Sequence, residues 1–244
     1  MSMPDACCSL PPVKSEYAPQ GSVVEVGGIE VYSVGPSDAK AAIVGIYDIF
    51  GFHNNTKQFC DLVASATHAR VLLPDFFRGA PWTAEKLETH DRSELLKWIG
   101  TEGSWEKIQP SLAATTAFAQ KEGAQKIALF GFCWGAKMAW HAAQDGSTYA
   151  AAAFIHPSFF TPDDAKFLQV PIINLPTKDE PDMVPYMEAL KEASPALHEK
   201  SEHKRFDDVH HGFCAARGDW SDELQAQRAN EAIKLVANFY KKQF

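Results

Sequence analysis

Five short apolar runs, each ending in turn residues, constrain the fold of this 244-residue chain more than any other feature. They are AAIVGIYD (41–48), RVLLPD (70–75), KIALFG (126–131), AAAFIHP (151–157) and VPIINLP (170–176). Stretches of helical character separate most of them, so strands and helices alternate along the chain. This pattern is typical of a mostly parallel sheet buried between helices on both faces.

The two ends of the chain complete this α/β pattern. SVVEVGG (22–28) and IEVYSVG (29–35) predict an antiparallel hairpin around a Gly-Gly turn. The long stretch 83–122 predicts two helices joined by a glycine-containing turn. A last helix is expected to begin with Ser221 as its cap and to bury Ala229, Ile233, Val236 and Tyr240.

Composition narrows the class of protein. A hydrophobic share of 45%, a charged share of 22% and a net charge of -8 fit one globular domain and argue against a nucleic-acid or anionic-lipid partner. We expect a tail at 1–20, a single domain at 21–244 and a monomer. The five cysteines, an odd number that includes Cys7 and Cys8 in the tail, and the lack of a secretory signal or membrane-length apolar run predict a cytoplasmic protein with free thiols.

A glycine-flanked cysteine follows the KIALFG run. Gly131, Cys133 and Gly135 form G-x-C-x-G between a strand and an alanine-rich helix, a pattern typical of the nucleophile elbow of α/β-hydrolase folds. The free N–H groups and dipole at the helix start favour a thiolate and the oxyanion formed after attack. The backbone N–H of Trp134 is the expected oxyanion donor, whereas the alternative makes Cys133 a small buried hydrophobe.

A histidine and an acid follow in the chain order of such hydrolases. KRFDDVHHGF supplies the base, for which we select His211 because Gly212 follows it, while His210 is the alternative. PTKDEPDMVP offers Asp179, Glu180 and Asp182. Asp179 is selected to accept the imidazole Nδ1–H, and Asp182 is the alternative, although it can also cap the next helix.

Four segments resemble the dienelactone hydrolase (carboxymethylenebutenolidase) family, especially its fungal-type members. They are YDIFGFHNNTKQFCDLVA (47–64), PDFFRG (74–79), GFCWGAKMA (131–139) and HHGFCAARGD (210–219). The resemblance implies an α/β-hydrolase fold, a Cys-His-Asp triad, no metal and no organic cofactor.

The resemblance also implies further site residues. Asp48 stands where the family has an acid, usually glutamate, that activates the thiol; a turn residue bonding its own loop is the alternative. The N–H of Ile49 is the implied second oxyanion donor. Arg78 or Arg217 is the candidate for a substrate carboxylate, or each forms a structural ion pair. Phe77 is expected in an apolar pocket wall, and His156 is either a pocket residue or a core histidine.

The sequence therefore predicts a hydrolase of small esters or lactones that forms a thioester on Cys133. The alternatives are a general carboxylesterase or thioesterase, and a ligand-binding member whose thiol senses oxidants or captures electrophiles.

Overall fold

The computed structural model describes residues 10–89 and 91–244. The strands are β1 (Ser22–Val26), β2 (Ile29–Val34), β3 (Ala41–Ile46), β4 (Arg70–Pro74), β5 (Lys126–Phe132), β6 (Ala151–Ile155), β7 (Ile172–Leu175) and β8 (Glu202–His203). The helices are α1 (Asn54–Thr67), α2 (Ala84–Thr89), α3 (Arg92–Thr101), α4 (Trp105–Lys121), α5 (Trp134–Ala142), α6 (Val184–Ala193), α7 (Pro195–Lys200) and α8 (Glu223–Gln243), with a 3₁₀ turn at Pro162–Phe167.

The described strands form one sheet in the order β1-β2-β4-β3-β5-β6-β7-β8. From β4 to β8 all neighbours are parallel, whereas β1, β2 and β4 pair antiparallel. Gly27 and Gly28 both have positive φ, which is the backbone conformation that the turn of the predicted hairpin requires. The predicted mostly parallel α/β sheet is confirmed, and its central strand β5 ends at Phe132, directly before Cys133.

Helices cover both faces of this sheet. α1 and α8 pack on each other and on the sheet, and α4 and α5 form a second packed pair that also contacts the sheet. Phe59 of α1 is fully buried, with its ring centroid 5.3 Å from that of Phe130 and 4.9 Å from that of Phe132 on β5. This aromatic contact supports the strand that carries the candidate nucleophile.

The stretch between β4 and β5 departs from its prediction. It contains three helices, α2, α3 and α4, where two were expected. The additional break precedes α3, because Asp91 and Glu94 form a capping box that begins a new helix there. The predicted glycine turn is at Gly103, between α3 and α4, whereas Gly100 lies inside α3.

The predicted last helix is α8, but its cap differs. Asp222, not Ser221, accepts the backbone N–H of Gln225, 2.8 Å away, and Ser221 bonds Asp219 instead. All four of the apolar residues predicted to face the core are buried.

The start of the described chain lies against the domain. Tyr17 donates its hydroxyl to Asp61 over 2.7 Å, and the N–H of Val13 donates to the carbonyl of Ala216 over 2.9 Å. Cys7 and Cys8 lie outside the described residues, and the domain boundary at residue 21 stays a prediction. No described helix has the length and apolar character needed to cross a bilayer.

Phe59→Ala should lower the free energy of unfolding by about 3–5 kcal/mol, because it removes a buried ring between α1 and β5. Phe167→Ala is the matched control, since that side chain is 56% exposed and should change stability by less than about 0.5 kcal/mol. Urea denaturation of both variants measures the difference, and equal losses would contradict the packing described for Phe59.

Candidate active site

Cys133 has the strained backbone of a strand-to-helix elbow. It lies between β5 and α5 with φ 55° and ψ -118°, a conformation that non-glycine residues rarely adopt. The flanking glycines make this turn possible: a Cβ on Gly131 would collide with the backbone of Gly135, and one on Gly135 with the carbonyls of Ile46 and Tyr47. The predicted G-x-C-x-G elbow is therefore present, with Cys133 fully buried.

His211 comes from the loop between β8 and α8, as its position predicted. Its fully buried ring bonds Glu180, with 2.6 Å between Nδ1 and Oε1. Nε2 makes no hydrogen bond of ordinary geometry within the described residues, and the ring also interacts with the sulfur of Cys133. The structure thus brings together the cysteine and the histidine selected from the sequence.

The charges around His211 favour its protonated form. Burial lowers the pKa of His211, but the charges of Cys133 and Glu180, together with the hydrogen bond to Glu180, outweigh burial and raise it to about 10. Both partners therefore favour the charged form of the ring over the neutral form.

The expectation that Asp179 accepts Nδ1–H is corrected, because Glu180 occupies that place. The carboxylate of Asp179 accepts the main-chain N–H of His211 instead, over 2.8 Å. The alternative, Asp182, is exposed and accepts the N–H of Val184 at the start of α6, over 2.9 Å. Glu180 therefore faces the imidazole of His211, Asp179 faces the backbone of the histidine loop, and Asp182 faces solvent.

A local pattern in the sequence could have identified Glu180. Thr177-Lys-Asp-Glu180 has the T-x-x-E spacing in which the glutamate turns back toward the N–H of the threonine. In the structure Glu180 accepts that N–H with Oε2, so its side chain points inward and Oε1 remains for His211.

Asp48 and Ile49 follow β3, beside the elbow in the sheet order. Asp48 is fully buried, and Oδ1 accepts the N–H of Phe50 over 2.9 Å, as expected for a turn residue. Its Oδ2 is buried without a hydrogen-bond partner among the described residues. Ile49 is also buried, and its carbonyl accepts the N–H of Trp82.

An aromatic cluster surrounds the start of α5. The ring centroid of Phe77 is 5.0 Å from that of Trp134 and 4.7 Å from that of Trp98. The indole N–H of Trp134 donates to the carbonyl of Gly103 over 2.9 Å. Phe77 therefore packs against Trp134, the residue that follows Cys133, and Trp98 of α3 is an additional neighbour. The place of Phe77 in a substrate pocket wall stays a prediction.

The two candidate arginines have different environments. Arg78 is exposed and donates to the carbonyl of Gly28 in the β1–β2 turn over 2.7 Å, so the structure does not bring it into the site. Arg217 is buried, with its guanidinium 4.5 Å from the ring centroid of Phe50 and its Nε donating to the carbonyl of Leu10 over 2.5 Å. Of the two, only Arg217 lies in the histidine loop.

The neighbouring histidines also differ. Both ring nitrogens of His210 have local partners, the carbonyl of His211 and the side chain of Gln225. His156 is fully buried, stacked on Phe132 and with its ring centroid 4.9 Å from that of His211, and neither nitrogen bonds a described residue. Burial lowers the pKa of His156 well below its ordinary value, and the charges of His211 and Arg217 lower it further.

Ser158 is a site residue that the sequence reasoning missed. Its hydroxyl oxygen is 3.5 Å from the sulfur of Cys133, and the serine is buried. The available signal was its position just after β6, at the carboxyl edge where parallel sheets bind ligands. Within residues 10–89 and 91–244, no three His, Cys, Asp or Glu side chains are grouped to hold a metal ion.

Comparison with known proteins identifies the family. The model of the dienelactone hydrolase family matches residues 29–244. An uncharacterized AIM2 family protein of Schizosaccharomyces pombe is 32% identical over 92% of each chain. The carboxymethylenebutenolidase homolog of Homo sapiens is 31% identical over 58% of this chain and 57% of its own. The dienelactone hydrolase structure from Anabaena variabilis has a TM-score of 0.59 at 15% identity, covering 92% of this chain and 97% of that one. The chain therefore belongs to the dienelactone hydrolase family and is a hydrolase of the ester and lactone type with an α/β-hydrolase fold.

Proposed function

We propose that the chain hydrolyses small esters or lactones with Cys133 as nucleophile, His211 as base and acid, and Glu180 as the acid that orients His211. This proposal rests on the buried arrangement of Cys133, His211 and Glu180. The imidazole ring of His211 interacts with the sulfur of Cys133 and is hydrogen-bonded to the carboxylate of Glu180. A nucleophile, a base and an orienting acid in series are the parts that acyl transfer requires.

In the first half-reaction the Cys133 thiolate attacks the substrate carbonyl carbon, and the carbonyl π electrons move to oxygen. The resulting oxyanion accepts hydrogen bonds from the backbone N–H groups of Trp134 and Ile49. When the intermediate collapses, the C–O bond of the ester breaks, and the leaving alkoxide takes a proton from His211. The products of this step are an alcohol and a thioester on Cys133.

In the second half-reaction His211 removes a proton from water, whose oxygen attacks the thioester carbon. The C–S bond then breaks, the sulfur leaves as thiolate, and a carboxylic acid is released. With a lactone, the alcohol and the acid remain in one molecule.

Glu180 and Asp179 have separate roles in this proposal. Glu180 accepts Nδ1–H and stabilises the imidazolium that forms when His211 holds the proton. Asp179 holds the main chain of His211 and thereby positions the ring. Asp48 is proposed as the acid that assists activation of the thiol, supported by its burial and its unpaired Oδ2 beside the elbow.

Apolar contacts dominate the proposed substrate wall. The ring of Phe77 packs against that of Trp134, the residue that follows Cys133, and apolar neighbours of this kind favour a small apolar ester or lactone. Arg217 is the candidate for a substrate carboxylate, although Leu10 occupies its Nε. The cytoplasmic location and the monomeric state remain predictions of the sequence.

Cys133→Ala should reduce kcat/KM for aryl esters and lactones by about 10³-fold or more, because it removes the sulfur that forms the acyl-enzyme. Cys60→Ala is the matched control, since Cys60 is a buried free thiol on α1 and its loss should leave turnover within about threefold. Steady-state hydrolysis of an ester, lactone and thioester panel measures both. Undiminished turnover in Cys133→Ala, or stoichiometric labelling of Cys133 without turnover in the unaltered protein, would contradict the proposal.

The three acids of one loop provide a second test. Glu180→Gln should lower kcat by about 10²- to 10⁴-fold, because the amide oxygen stabilises the imidazolium less than a carboxylate does. Asp179→Asn retains an acceptor for the N–H of His211 and should lower kcat less than about tenfold. Asp182→Asn, at an exposed position, is the control.

Imidazole NMR signals provide a readout that is independent of turnover. Because the charge of Glu180 raises the pKa of His211, Glu180→Gln should lower that pKa, so that the imidazolium loses its proton at lower pH. A larger loss of activity in Asp179→Asn than in Glu180→Gln would assign the acid role to Asp179 after all.

A further inference from the structure

The turn after β6 has a strained backbone beside the elbow. His156 and Phe159 have φ of 38° and 68°, which bulky residues rarely adopt, and between them lie Pro157 and Ser158. A backbone of this kind persists only where surrounding contacts hold it, and such positions cluster at functional sites. The turn is thus a candidate for a role in the chemistry.

Hydrogen bonds hold this turn against the elbow. The N–H of Ser158 donates to the carbonyl of Cys133 over 3.1 Å, and the N–H of Cys133 donates to the carbonyl of Ile155 over 3.2 Å. The N–H of His156 donates to the carbonyl of Leu175 on β7, over 2.9 Å. The two bends and these three bonds place the side chain of Ser158 at the sulfur.

The Ser158 hydroxyl meets the sulfur in a buried environment. Its Oγ lies 3.5 Å from Sγ, Ser158 is 1% exposed and Cys133 is 0% exposed. A serine hydroxyl has one proton to donate, and a thiolate can only accept. In low-dielectric surroundings, a hydrogen bond to a charged acceptor is stronger than one to a neutral acceptor.

We propose that Ser158 is a catalytic residue whose hydroxyl donates a hydrogen bond to the thiolate of Cys133. This inference rests on the proposed function only in taking Cys133 as the nucleophile. The bond stabilises the thiolate in the resting enzyme, and it stabilises the same charge when the C–S bond of the thioester breaks. No proton is transferred from Ser158, so the stoichiometry of the reaction is unchanged.

The two half-reactions should respond differently to this bond. A stabilised thiolate is more abundant but intrinsically less nucleophilic, so the effects on acylation partly offset each other. In deacylation the sulfur is the leaving group, and the lower its basicity, the faster it leaves. Loss of the hydroxyl should therefore lower kcat more than kcat/KM, because kcat/KM reports acylation whereas kcat includes deacylation.

Ser158→Ala tests this assignment through the ionisation of Cys133. The absorbance of the thiolate near 240 nm, titrated against pH and corrected by subtracting the Cys133→Ala titration, gives the apparent pKa of Cys133. Ser158→Ala should raise that pKa by about one unit, so that the thiolate fraction falls about tenfold at a pH below both values. It should also lower kcat about tenfold, with a smaller change in kcat/KM and a correspondingly lower KM.

Two further variants separate the hydrogen bond from packing. Ser158→Thr keeps the hydroxyl and should restore the pKa, whereas Ser158→Gly lacks it and should repeat the shift if the alanine variant is too unstable to titrate. Ser33→Ala is the matched control, because Ser33 is buried but its hydroxyl accepts a hydrogen bond from Arg70, on β4.

An unchanged Cys133 titration in both Ser158→Ala and Ser158→Gly would overturn the assignment. Failure of the proposed function would be observed differently, as hydrolysis that persists in the Cys133→Ala variant. The thiolate titration of Cys133 does not depend on turnover and reports on Ser158 in either case.

Discussion

The backbone of Cys133 is the constraint on which the rest of the site depends. A cysteine at φ 55° and ψ -118° can be held only where strand, helix and neighbouring strand approach closely, and Gly131 and Gly135 permit that approach. The bend directs the sulfur out of β5 at the carboxyl edge of the sheet. Because parallel strands end at that edge together, the loops after β6 and β8 can deliver Ser158 and His211 to the sulfur, and the loop after β7 can deliver Glu180 to His211.

Burial determines how these groups interact. Cys133 and His211 are fully inaccessible and Glu180 is 3% exposed, so their charges are little screened by solvent. Each charged group therefore has a partner. The imidazolium of His211 is stabilised by Glu180 and by the sulfur of Cys133, and the carboxylate of Glu180 also accepts the N–H of Thr177. The neutral ring of His156 adds no competing charge beside His211. Since the sulfur has no exposed surface, a substrate can reach it only if the surrounding side chains move.

The start of the described chain adds a support that is distant in sequence. Leu10 accepts a hydrogen bond from Arg217, and Val13 donates one to Ala216, both in the histidine loop. Tyr17 and Gln20 both donate to Asp61 on α1. This segment thus links the loop of His211 to the helix whose Phe59 packs under β5. In this arrangement the guanidinium of Arg217 lies over Phe50, between the described start of the chain and the loop that follows β3.

The sequence by itself determined the elements whose signals are local. Apolar runs predicted the parallel strands, and G-x-C-x-G followed later by His211 predicted an elbow cysteine and its neighbouring histidine, because strand burial and a tight elbow constrain residue type directly. Only the tertiary structure decided which of three adjacent acids meets the imidazole, that Arg78 turns away to Gly28, and that Ser158 touches the sulfur. Those outcomes depend on side-chain direction and on contacts between loops 25 to 50 residues apart, and the residue types at such positions are compatible with several arrangements.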